Sequence, residues 1–376
     1  MSKLNKMLNN WVANDLITDE QAKKITDYET SKPGNSWVLY GFLILGATII
    51  GIGVISLVAA NWKDISDVFK LFVDFFLLIS LAAGTYFAWE YKKPILFEVL
   101  LLSFMILCLA SIGLISQIYH TGGKLYQALL LWSLITMGLV AASKKLFIPF
   151  IWASGFFFGL TITALDSPAF QVIFQKQENP VFMAIPLLSA LLAVICRKLE
   201  GESSQTKAFR SWAIIGGLLA LFIVEAQFGR HRSVDLGIVA FLPAYVFAVL
   251  LGFAILMSDE YRHAQRISLL ATLGFFLVPF HFQMFAVQSE LAYALFSIAV
   301  LASMSIFIAS LKLRGLFQFF LVVLGIRFLV LYFQALGGLA TTGFGLIFSG
   351  LIIILAVVVW NKYRKHITTW AEGLAE

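Results

Sequence analysis

Ionisable side chains inside long apolar runs define the chemistry open to this chain. Lys70, Asp74, Glu225 and Arg327 all sit in or at the edge of such runs. A charge in hydrocarbon is costly, so each needs a partner, water or a functional reason to be there. Lys70 and Asp74 are four residues apart on one helical face and can neutralise each other. Arg327 is the deepest; left unpaired it would cost at least about 2.5–3.5 kcal/mol. Asp74 and Glu225 are the carboxylates placed to pair with it. Glu98 lies near the opposite end of its run, within reach of water. His281 follows Pro279 by two residues, and the proline can break a helix and free backbone carbonyls.

Two readings of these residues stand side by side. In one, Asp74, Glu225, His281 and Arg327 line a polar cavity. In the other, they form an internal salt bridge plus ordinary interfacial polar groups. An intramembrane enzyme would need an acid and a base, for which Asp74 and His281 are the available pair; nothing in their spacing brings them together. The glycines Gly46, Gly51 and Gly53 imitate a nucleotide fingerprint, but no strand precedes them. Small residues four apart, Ala47 with Gly51 and Gly345 with Ser349, suit close helix packing instead. His120 and His231 have no companions at metal-ligand spacing, and Cys108 and Cys196 fall in apolar runs as packing residues. No metal, cofactor or catalytic residue is therefore assigned, and the balance leans away from an enzyme.

The elements that must position these residues are membrane spans. Apolar residues make up 60% of the 376-residue chain and charged residues only 13%, against about 25% charged in a soluble domain. Runs such as Val38–Ala60 and Leu339–Val359 are long enough to cross about 30 Å of hydrocarbon. The 36 Phe residues suit lipid-facing bulk. Twelve spans are expected, at 36–60, 68–90, 94–117, 124–143, 146–165, 180–197, 210–228, 237–257, 266–287, 290–311, 315–335 and 339–361. The fold class is all-α, a polytopic transmembrane bundle. With the N-terminus inside, 20 of the 27 Lys and Arg fall on the inner side and five outside, which orients both termini to the cytoplasm. Trp37, Trp89, Trp212 and Trp360 then fall at inner ends. Asn61, Trp62, Gln117, Tyr119, His120, Glu225, Gln227, His281, Gln283 and Gln334 gather at or near outer ends.

Residues 1–35 are polar and read as a cytoplasmic helical hairpin. Its second helix opens at Thr18, with Gln21 at capping-box spacing, and ends at Ser31–Gly34. This segment either lies against the membrane or docks a membrane-protein partner. Residues 36–361 form the transmembrane domain and 362–376 a cytoplasmic tail. The net charge of +6 is explained by the short basic loops, so nucleic acid is not a partner; the lipid bilayer is.

Four stretches carry a family likeness: "WVANDLITDEQAKKI" from Trp11, "GIGVISLVAANW" from Gly51, "KLFVD" from Lys70, and "LLLSFMILCLASIGLISQIYHTGG" from Leu100. They resemble the bacterial membrane proteins grouped as domain of unknown function 2157, over roughly residues 8–145 and the first four spans. Ala60–Trp62 and Gln117–His120 are the most specific pieces. The resemblance implies a bacterial inner-membrane protein without an assigned activity. On the topology above, both pieces lie on the outer face, with Lys70 and Asp74 just below. The candidate site is therefore Asn61, Trp62, Lys70, Asp74, Gln117, Tyr119, His120, Glu225, His281 and Arg327. The functions weighed are transport or lipid and small-molecule handling through an outward polar cavity, a structural or assembly role beside another membrane protein, and intramembrane catalysis.

Overall fold

The computed structural model describes residues 2–31, 49, 62–174, 178–227, 238–258, 261–282, 289–311, 313–336, 350, 351, 354, 358 and 362. The expected spans 36–60 and 339–361, together with Asn61, Gln283, Trp37 and Trp360, fall outside this set or at its isolated residues. Two compact units are present, Met1–Val73 and Asp74–Glu376.

In the first unit, α1 (Ser2–Ala13) and α2 (Asp19–Ser31) pack on each other as a hairpin. Leu8 is buried, and Asp15 takes a left-handed φ of 54° in the turn. The capping box at Thr18 forms as its spacing predicts. The Thr18 hydroxyl accepts from the Gln21 amide at 3.3 Å, and the Gln21 side chain accepts from the Thr18 amide at 2.9 Å.

The helix α3 (Asp67–Glu90) continues from the first unit into the second. There follow α4 (Pro94–Ile118), α5 (Leu125–Ala142), α6 (Phe147–Asp166), the short α7 (Pro168–Phe174), α8 (Glu178–Glu200) and α9 (Ser204–Ala226). After these come α10 (Leu242–Leu256), α11 (His263–Leu277), α12 (Glu290–Ser310) and α13 (Arg314–Leu336). Turns of 3₁₀ helix at Ile238–Phe241 and Val278–His281 precede α10 and follow α11. No strand occurs among the described residues. Among them, nine helices are long and apolar enough to cross a membrane.

Three boundaries differ from expectation, each for a local reason. The span expected over 266–287 is α-helical only from His263 to Leu277. Pro279 has no N–H to give the Phe275 carbonyl, so the chain tightens into the 3₁₀ turn. The helix expected from 210 begins at Ser204, because Ser203 caps it by accepting from the Thr206 amide at 3.2 Å. The preceding helix ends on Gly201 in the left-handed region at φ 73°. The long 198–209 connection thus shrinks to Gly201–Ser203. Pro186 does not interrupt α8, which stays continuous around it.

Indole N–H groups tie the first half of the bundle together. Trp132 of α5 donates to the Met105 carbonyl of α4 at 2.7 Å; Trp152 of α6 donates to Ser133 O and Thr136 Oγ1 of α5, both at 3.1 Å. Trp212 of α9 donates to Ser154 Oγ of α6 at 3.0 Å and stacks on Phe150. In a bilayer an indole N–H has no water to fall back on, so these bonds specify which helices meet. Trp212 is thus partly buried against the core, whereas Trp89 is exposed. Phenylalanine does two jobs: Phe158, Phe222 and Phe253 face outward, while Phe157, Phe241 and Phe280 are core. Cys108 and Cys196 are free thiols packed on the core of α4–α6, α8 and α9.

Candidate functional site

The ten candidate residues fall into separate environments. Trp62 is half-buried, and the Lys70 ammonium lies 4.7 Å from its ring centroid. Lys70 pairs with Asp67 at 2.9 Å, one turn back along α3. The expected Lys70–Asp74 pair is therefore replaced. The reason is that Asp67, in the first helical turn, lets the long lysine reach toward the helix end rather than into the bilayer.

Asp74 is 6% exposed, and its Oδ1 accepts from the Ser111 hydroxyl of α4 at 2.8 Å. Its Oδ2 has no hydrogen-bond partner among the described residues. The Leu107 carbonyl also lies 2.8 Å from Ser111 Oγ, so the single hydroxyl hydrogen is shared between Asp74 and the local acceptor that satisfies serine inside a helix. Glu98 caps the α5–α6 turn, accepting from Ser143 Oγ at 2.7 Å and the Lys144 amide at 3.1 Å.

The Gln117–His120 stretch is a helix stop. Tyr119 ends α4, His120 takes a left-handed φ of 50°, and the Thr121 amide returns to the Ser116 carbonyl at 3.2 Å. The Ser116 and Thr121 hydroxyls share a 2.7 Å hydrogen bond, and Gly122 follows at φ 65°. Gln117, Tyr119 and His120 are exposed. Their pattern thus has a conformational account beside any role in binding.

Arg327 of α13 and Glu225 of α9 are brought together. Nη1 lies 2.8 Å from Glu225 Oε1, and Nε donates to Ser297 Oγ of α12 at 2.7 Å. Ser297 passes the bond on to the Ala294 carbonyl. Of the two carboxylates open to Arg327, Glu225 is the one it meets, while Asp74 meets Ser111. His281 lies elsewhere, stacked on Tyr245 of α10 and hydrogen-bonded to its hydroxyl. Its Nδ1 is 2.9 Å from the Leu277 carbonyl. A carbonyl only accepts, so Nδ1 carries hydrogen, and in the neutral ring Nε2 accepts from the tyrosine. Asp74 and His281 thus each have another partner, which is not the acid–base pairing catalysis would require. Among the described residues, no three His, Cys, Asp or Glu side chains converge on a metal-sized site.

A second locus was not legible as a site. Helices α8–α13 line a partly open cavity of about 240 Å³. Its wall is apolar along most of its length, from Pro186, Leu221 and Phe276 to Met304 and Phe307. Pro186 faces Gly216 and Gly217, whose missing side chains leave room beside the proline ring. Polar lining gathers at one end: Arg197, Arg210, Tyr261 and Thr206, with Thr272 farther in. Thr272 is satisfied by Ser268 O and Ser303 Oγ. At the polar end, Glu202 lies 3.6 Å from Arg197 and takes a two-pronged contact from Arg210 at 3.1 Å each. The signal available in sequence was Arg197 and Arg210 flanking Glu202, but a turn of basic residues at a span end is also what topology alone demands.

Residues 9–148 match the model of a family described as Predicted membrane protein (DUF2157). The match runs from α1 into the start of α6, so it holds the Trp62, Asp74 and Gln117–His120 positions and leaves α8–α13 outside. No curated protein and no solved structure matches the chain. The protein is a multi-pass membrane protein.

Proposed function

We propose that this protein holds the apolar chain of a lipid or other amphiphile between helices α8–α13, and so belongs among lipid-handling membrane proteins. The observation that carries the reading is the cavity's division into a long apolar wall and one polar end. A site for a small polar solute would distribute polar groups along its length, whereas an amphiphile needs them at one end only. On this reading the outer-half groups Asp74, Glu225, His281 and Arg327 fasten helices in pairs, which favours the structural alternative for them. Asn61, Trp62, Lys70, Gln117, Tyr119 and His120 stay proposed as an outer-face patch, its role secondary to the slot.

The topology proposed with it has twelve spans within residues 36–361 and a cytoplasmic tail from 362. Both termini lie on the cytoplasmic side of a bacterial inner membrane, with residues 1–35 as a cytoplasmic hairpin. The asymmetry of basic residues supports it. Reporter fusions at both termini should report cytoplasm; a periplasmic C-terminus would remove one span. For the function, the purified protein should carry an extractable chain-bearing molecule. Ala213→Trp, which places an indole into the lining, should reduce that molecule's retention severalfold. A protein that retains none, or a variant that retains as much, overturns the reading.

A further inference from the structure

The inference here rests on the chain-binding reading above and concerns how long a chain the slot takes. Three stretches of helix line it from end to end: α8 from Pro186 to Arg197, α9 from Leu221 back to Arg210, and α12 from Val300 to Leu311. Each difference in numbering gives about 16 Å of helical rise. The end away from the arginines is blocked. Phe276 of α11 lines it beside Pro186, and its ring centroid lies 5.1 Å from that of Phe280. Phe280 is fully buried in the 3₁₀ turn that Pro279 imposes after α11. Met183, one turn past Pro186 on α8, is fully buried too. Both belong to one packed apolar core with Leu221, Phe276 and Val300. Among the described residues the slot therefore stops at Phe276.

A blocked end turns depth into a measure of chain length. A saturated C–C bond of about 1.5 Å, zigzagging at the tetrahedral angle, advances a chain by about 1.25 Å. A slot about 16 Å deep therefore holds about 12–14 carbons. Lipid tails are themselves apolar, so burial alone does not favour one chain over another in a membrane. What separates chains is how completely each fills the slot. A chain four carbons too short leaves about 70 Å³ of the 240 Å³ empty, which weakens retention on the order of tenfold at the cost of void in a packed interior. A longer chain meets the Phe276 ring and has to bend or leave part of itself outside. Gly217 keeps the last turn before that ring open. A Cβ added to it would lie 3.8 Å from Phe276 and 4.0 Å from Pro186, so a larger side chain would enter the slot. We propose that the slot selects straight hydrocarbon chains by length, about 12–14 carbons, with Phe276 as its floor and Gly217 as the gap above it.

The test is native mass spectrometry of the full-length protein in detergent. It is offered an equimolar series of monoacylglycerols whose saturated chains run from well below to well above the slot's depth, so the headgroup is constant and uncharged. Retention of each length is read against its share of the pool. The wild type should peak at about 12–14 carbons. Phe276→Ala should move the peak up by about four carbons, the length that spans the 5.1 Å to Phe280. Gly217→Leu should move it down by about five, because Gly217 stands one turn, about 6 Å, short of Leu221 on α9. Loosened packing alone would not shift the two variants in opposite directions. Leu221→Ala, which also deepens the blocked end, replaces Phe276→Ala if that variant does not fold. A flat length profile in the wild type, or a peak that stays in place in either folded variant, overturns the length selection. If Ala213→Trp still lowers retention of every chain in that case, the chain-binding reading survives. Unchanged retention in Ala213→Trp overturns both.

Discussion

The Arg327–Glu225 pair allows a prediction with an internal check. Arg327 is 9% exposed at its side chain and Glu225 23%. Removing the glutamate strands a buried guanidinium that keeps only the Ser297 hydroxyl, since Nη2 already has no partner among the described residues. Breaking a buried pair from one side costs about 3–5 kcal/mol, and the partial exposure of Glu225 places Glu225→Ala near the lower end, about 3 kcal/mol. Arg327→Leu instead takes the guanidinium away from the more accessible carboxylate and fills the space with apolar atoms, which should cost about 1–2 kcal/mol. Replacing both leaves no stranded charge, so the double variant should lose only about 2 kcal/mol, well short of the sum of the singles. The measurement is a double-mutant cycle of reversible unfolding in mixed micelles, with a coupling of about 2–3 kcal/mol expected. Additive losses would refute the reasoning: they would mean that the pair is open to water and that Arg327 faces a cavity. A double variant that is as stable as the wild type but inactive in lipid retention would return these residues to a functional role.

Other outcomes follow from single contacts. Asp74→Asn keeps the oxygen that accepts from Ser111 and removes the carboxylate, so folded protein recovered from membranes should be unchanged or higher. A marked fall would show that the charge itself has a partner. His120→Gly should be neutral or stabilising by up to about 1 kcal/mol, because glycine takes the left-handed φ freely. His120→Val should instead destabilise the α4 stop, and thermal unfolding of both variants checks the order. Gly155→Ala should cost about 1–3 kcal/mol, because the new Cβ would lie 2.5 Å from the Trp132 ring, which its bond to Met105 O holds in place. Gly217→Ala meets nothing nearer than 3.8 Å and should fold like the wild type. Equal behaviour of the two glycine variants would disprove the packing described for α5 and α6.

The membrane class, the helical architecture and most span positions were legible in the chain, because hydrocarbon admits backbone only when its hydrogen bonds are satisfied within the element. A run of apolar residues then declares both its conformation and its length. The Thr18 capping box was legible for a similar reason: it closes within four residues. The family likeness was carried by contiguous stretches, and the match over residues 9–148 falls where those stretches lie. Features that depend on several residues at once were harder to place. Pro186 and Pro279 are the same residue type in two apolar runs, yet only the second ends its α-helix.

Pairing across helices was not legible, because an apolar helix does not declare which face meets which neighbour. Sequence narrowed the partners of Arg327 to two carboxylates; tertiary structure chose Glu225 and gave Asp74 to Ser111 instead. Ser111 and Ser297 were invisible as partners, since a serine in an apolar run can satisfy itself on its own helix. The slot of α8–α13 was least visible of all. Its apolar wall is built from residues that look like any membrane span, and its arginines look like any inner loop. What the sequence alone determined was that charges lie in the membrane and must be neutralised. Where they are neutralised, and where an apolar space with one polar end is left, was decided by how the helices pack.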